Sequence, residues 1–285
     1  MHQRIQADLT RLRQRPFSRR TVLFLIPLFI LFVMGLYAIT DIDYLYHDHA
    51  LTRADWMGYA VCHRITERSF MINGRQFPLC ARCTGMYLGA ALTLLTLGLA
   101  GRWRWSDLPP LKLLLVLLGL IGIMGIDGIN SYLHFFPNAP HVYQPQNWLR
   151  LTTGMGTGLA MGLIMWPALA QTLWANAEFR PIISSWRELA GFVALLLVGI
   201  FLLLSNQALL LYVLAIVSIF GLLGILLSIN LVLGLILLHR DGRALTWRET
   251  AVPLLIGLTL AIIELSLIST IRLSITGTMT GFPGL

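Results

Sequence analysis

Leu189–His239 reads LAGFVALLLVGIFLLLSNQALLLYVLAIVSIFGLLGILLSINLVLGLILLH, 51 residues without one Asp, Glu, Lys or Arg. A helix needs ~20 apolar residues to cross ~30 Å of hydrocarbon, so this stretch is room for two crossings. Its best polar break is Ser205-Asn206-Gln207, which marks the hairpin tip. The segment decides the fold, because no soluble surface can be made from it.

Similar runs lie upstream. Thr21–Thr40, Cys83–Gly101 and Leu151–Ala177 carry no charge, Leu113–Phe136 holds only Asp127, and Thr250–Ile271 holds only Glu264. Across the chain 56% of residues are hydrophobic and 12% are charged. That charged fraction is about half that of an ordinary soluble domain. The expectation is an all-α, polytopic transmembrane helical bundle of about seven helices, with a lipid bilayer as its main solvent. The basic leader 1–20 resembles that of a signal peptide. However, the apolar stretch 21–40 is long for one and no A-x-A-like cleavage site follows, so it is expected to be a retained helix.

Arg and Lys set the orientation. With seven spans and a cytoplasmic N-terminus, 14 of the 21 basic residues fall on the inner side, including six Arg in the first 20 positions. That bias is the positive-inside pattern. The net charge of +8 then follows from topology and from attraction to an anionic inner leaflet, with no need for nucleic-acid binding. The expected location is the cell membrane, multi-pass, with the cysteine-bearing loop on the outer side.

The chain divides by composition into a basic segment 1–20, a first helix 21–40, a glycine-rich core 41–174 and apolar helices 175–285. Within the core, Gly85 and Gly89, then Gly119, Gly122, Gly125 and Gly128, then Gly154, Gly158 and Gly162 recur at helical spacing. Small residues let membrane helices approach backbone to backbone.

All three cysteines lie in the loop leading into the Cys83–Gly101 helix, in Cys62-His63-Arg64 and in Pro78-Leu79-Cys80-Ala81-Arg82-Cys83-Thr84-Gly85. Three readings compete. Cys62, His63, Cys80 and Cys83 could hold a metal ion, with zinc the natural choice for Cys₃His. Two adjacent ligands sit awkwardly on one ion, so His63 could instead orient a substrate or act as a base. Alternatively, C-x-x-C at a helix start favours thiolate and suits thiol–disulfide redox chemistry, with Cys62 resolving. The third reading is a structural disulfide with one spare thiol.

Arg64, Arg68, Arg75, Arg82 and Arg150 fall on the side where positive charge is disfavoured. Arginine grips phosphate or carboxylate with two prongs, so an anionic lipid or other phosphate-bearing substrate is the matching partner. The bland alternative is contact with headgroups or pairing with Glu67 and Asp55. Asp127 is a carboxylate within hydrocarbon, which demands a partner or a cavity. Arg150 opens the next helix on the same side and is the expected partner. Asp127 or His63 would be the general base of an enzyme. A transporter or channel would instead use Asp127 and Glu264, and Arg272 lies two turns beyond Glu264. No phosphate-binding loop, dinucleotide fingerprint, nucleophile elbow or H-E-x-x-H is present.

The C-H-R-x-x-E-R-S-F…P-L-C-A-R-C-T-G stretch, with Asp127-Gly128 and Asn147…Leu149-Arg150-Leu151…Thr153-Gly154, resembles a family of predicted prokaryotic membrane proteins of unknown function. The resemblance runs from about residue 55 to 165. It implies roles for Cys62, His63, Arg68, Cys80, Arg82, Cys83, Asp127 and Arg150, and brings no reaction with it.

Overall fold

The computed structural model describes residues 49–136, 140 and 142–279. The expected first helix at 21–40 lies outside them. Residues 53–285 form one compact unit.

Among the described residues there are seven α-helices: α1 (His49–Val61), α2 (Ala81–Leu99), α3 (Leu111–Leu133), α4 (Asn147–Leu173), α5 (Trp186–Leu204), α6 (Ala208–Leu237) and α7 (Trp247–Thr276). Five of them, α2, α3, α5, α6 and α7, are long and apolar enough to cross a membrane. The chain is therefore a multi-pass membrane protein. Each charge-free run from 83 onward has its helix, and the long run breaks at 205–207, where Asn206 takes a positive φ of 56°.

Helix α4 is the hub. It packs against α2, α3, α5 and α6, whereas α7 leans mainly on α6. The α2–α4 crossing is backbone to backbone. A methyl group added at Gly85 would overlap the Leu151 carbonyl, and one at Gly158 the Met86 carbonyl. No side chain fits between these helices, so glycine on both partners is what permits the approach. Leu151, Leu159 and Leu163 fill the flanks and are fully buried.

Two small sheets depart from the all-α expectation without changing the class. β1 (Ser69–Ile72) and β2 (Arg75–Cys80) form an antiparallel hairpin. Its turn is Asn73-Gly74, with φ of 48° and 84°. Consecutive positive φ values define the turn that matches strand twist, and Asn-Gly is its preferred pair. β3 (Trp105–Asp107) pairs in parallel with β4 (Glu178–Pro181) at the other end of α2. That helix has 19 residues, which separates its ends by ~28 Å at ~1.5 Å per residue. Trp103, Trp166, Trp174 and Trp247 cluster at the β3 end, and the cysteines occupy the opposite one.

Candidate metal centre and arginine-lined cavity

Cys62 is delivered by the C-terminal end of α1, where the last carbonyls have no partners within the helix. Arg272 of α7 supplies them. Its Nη1 donates to the Tyr59 and Cys62 carbonyls at 2.6 Å each, and Nη2 to that of His63 at 3.4 Å. The guanidinium also lies 4.1 Å from the centroid of the Tyr59 ring. A cation at a helix C-terminus is favourable electrostatically as well. Glu264, two turns earlier on α7, accepts from Asn230 at 3.0 Å.

On the other side of the cluster β2 runs into α2. Cys80 is the N-cap residue, and Cys83 sits in the first turn. The Cys80 backbone N–H donates to Cys62 Sγ at 3.1 Å. All three sulfurs lie within 4.8 Å of one another, and all three cysteines are free thiols. Hydrogen bonds from the Cys62 and Cys83 thiols hold the Cys80 thiol well below its usual range. Cys62, donating to Cys80 and buried, is pushed up to about 12. A divalent ion would replace those shared protons.

Sulfurs 2.3 Å from a tetrahedral zinc stand ~3.8 Å apart, so the observed spread needs only a slight contraction. The donor set fits. His63, the fourth ligand expected from sequence, is not in the group. It is exposed and sits at the edge of an adjoining cavity.

That cavity holds about 380 Å³. Cys80 and Cys83 form part of its wall, Ile65, Tyr132 and Phe135 its apolar side, and Arg68, Arg82 and Arg150 its polar side. Each arginine is held differently. Arg82 forms an ion pair with Asp127, donating from Nε at 3.0 Å, and its Nη2 also reaches Ser131 Oγ at 3.0 Å. Asp127 is 2% exposed, and its second oxygen accepts from the Tyr143 hydroxyl at 2.6 Å. Arg68 donates to the Ser131 carbonyl at 3.0 Å and lies 3.7 Å from the centre of the Phe135 ring. Burial, then the charges of Arg150 and Arg82, lower its pKa to about 10. Arg150 is 6% exposed and donates from Nη1 to Asn147 at 2.8 Å, while its buried Nε has no acceptor.

The geometry corrects two expectations. Asp127 pairs with Arg82 in place of Arg150. Arg64 does not line the cavity. It is buried against Asp55 at 2.9 Å, with Arg75 on the same carboxylate at 2.8 Å. That is the structural alternative for this residue. Glu264 is also absent from the cavity lining.

Several contributors escaped the sequence reading. Asn130 fixes the following loop, donating to the Tyr143 carbonyl at 2.9 Å and accepting from the Val142 N–H at 2.7 Å. Ser131 serves both Arg68 and Arg82. Both lie three and four residues beyond Asp127, hence on its helix face, and that spacing was the available signal. Nothing in the sequence singles out Tyr143 or Phe135.

Residues 62–164 match a family described as "Predicted membrane protein (DUF2085)". An uncharacterised protein from Methanothermobacter thermautotrophicus is 32% identical over 104 residues, which is 36% of this chain and 83% of that protein. No solved structure matches. The matched span contains all three cysteines, the three cavity arginines and Asp127. It excludes Arg272 and the helices from α5 onward.

Proposed function

The chain belongs to the DUF2085 family of predicted membrane proteins, and from that premise we propose that it is a membrane metalloprotein whose Cys62, Cys80 and Cys83 hold one zinc ion beside a pocket for an anionic, phosphate-bearing group. One observation carries this reading: three thiols from two separate chain segments converge within 4.8 Å, and two of them open onto a cavity with three arginines. Three sulfur ligands suit zinc, whose fourth position then stays open in the manner of catalytic sites. Zinc there would polarise a bound oxygen or activate water.

The chain's own groups divide the remaining work. Arg68, Arg82 and Arg150 bind and orient the anion and offset negative charge that develops on it. Asp127 has both oxygens engaged, so it positions Arg82 rather than abstracting a proton. His63, exposed at the rim, is the group placed to move a proton. The basic residues at the β3 end support a reading in which the cysteine end faces the outer side of the membrane. An anionic lipid headgroup in that leaflet is the partner this arrangement suits.

Elemental measurement on the detergent-purified protein, beside a free-thiol count, tests the reading. About one zinc per chain, lost in Cys80→Ser, is the expected result. No metal with two oxidised thiols would overturn it and return the cluster to disulfide chemistry.

A further inference from the structure

Resting on that metal reading, we propose that a tetrahedral oxyanion, a phosphate or phosphate monoester, completes the metal's coordination, with one oxygen on the ion and the others on Arg68 and Arg150. Three features converge on it. Cys62 is buried and lies outside the cavity wall, while Cys80 and Cys83 belong to it, so the position left free by three sulfurs opens into the cavity. Arg150 is nine-tenths buried, lines the same space, and carries a donor with no acceptor. A buried unmet N–H of a charged group is costly, and a ligand oxygen is the acceptor it lacks.

Charge supplies the third feature. Among the described residues Asp127 is the one carboxylate bonded to this group of arginines, and Arg82 and Tyr143 already occupy it. A zinc ion with three thiolates adds one negative charge. Three guanidiniums against those two negative charges leave one positive charge in a half-apolar pocket.

Geometry separates phosphate from carboxylate. Arg68 comes from the turn before β1, Arg150 from the first turn of α4, and the ion from the α1–β2–α2 junction. A carboxylate presents two coplanar oxygens, which one arginine fork satisfies. Donors arriving from three elements suit an anion whose oxygens point in different directions. A volume of about 380 Å³ is at the small end for ligand pockets. It suits a headgroup whose esterified part leaves past Ile65 and Tyr132.

The test uses the full chain in detergent with cobalt(II) in place of zinc, because thiolate-bound cobalt has a visible spectrum that reports its fourth ligand. Inorganic phosphate and a short-chain phosphatidic acid are titrated separately. The expected result is a saturable band shift, with affinity roughly 10- to 100-fold weaker in Arg150→Gln and in Arg68→Gln, as loss of a charged hydrogen bond implies, and with cobalt content unchanged. A shift with both probes at equal affinity identifies free phosphate as the ligand, and tighter binding of the lipid identifies the headgroup. Cobalt that binds but ignores both probes overturns this inference and leaves the metal centre standing. Cobalt that does not bind at all overturns the metal centre, and this inference with it. Because the wild-type titration decides the main question, a variant that fails to fold does not remove the test.

Discussion

Two glycine stripes that look alike in sequence do opposite things in the fold. Along α2 and α4, Gly85, Gly89, Gly154 and Gly158 each face a backbone atom of the partner helix so closely that one methyl group could not be added. Along α3, Gly119, Gly122 and Gly125 meet nothing within 4 Å. Helix α3 meets α4 through side chains, Leu120 lying against Gly156, and is fastened at its far end by Asp127, Asn130 and Ser131. One helix pair is held by shape, and the third helix by hydrogen bonds and a buried charge. Glycine spacing alone therefore says that a close approach is permitted, without saying that one occurs.

The comparison can be broken at four places. The largest effect is expected from Asp127→Ala, which leaves Arg82 without its carboxylate beside two other arginines. Losing one member of a buried pair costs about 3–5 kcal/mol. Hydrogen exchange in detergent should show 111–133 loosened while 81–99 and 147–173 keep their protection. Uniform loosening of all three helices would mean the fastening is shared. Gly158→Ala should come next, at about 1–3 kcal/mol of overpacking, with the opposite pattern: α2 and α4 lose protection first. A stability within ~0.5 kcal/mol of the parent, the range of neutral surface changes, would show that the crossing is looser than described.

Asn130→Ala removes two bonds to the 142–143 backbone, each worth about 1 kcal/mol. It should free that loop to proteolysis without disturbing α2. The smallest effect belongs to Gly122→Ala. With open space at that position, thermal stability in detergent should stay within ~0.5 kcal/mol, as for substitutions away from packed features. A large loss there would reveal a contact made by something other than the described residues.

Much of this architecture is legible in the amino-acid order because lipid imposes a simple rule. Each described charge-free run became a helix, and Ser205-Asn206-Gln207 broke the long one. The candidate site was legible where a residue type is rare, in the three cysteines that converge within 4.8 Å. What stayed hidden depends on which faces meet. Asp127 could have paired with Arg82 or Arg150, and the choice rests on how α2 is rotated against α3, which spacing within one helix does not encode. Arg64 and Arg68 look equivalent four residues apart, yet one is consumed by Asp55 and the other reaches the cavity. The Asn73-Gly74 turn was readable in principle, but its hairpin is too short and too close to the cysteines to stand out as strands.

The clamp from Arg272 onto the end of α1 has a consequence in time. The carbonyl of Cys62 and its cation partner are separated by 210 residues. At ~5–20 residues per second of synthesis, roughly 10–40 seconds pass between making the first cysteine and making the arginine that seats it. Through that interval the three sulfurs are already in the chain but their scaffold is unfinished. Under the metal reading proposed above, loading would wait for α7, the helix whose arrival completes the scaffold around the three sulfurs.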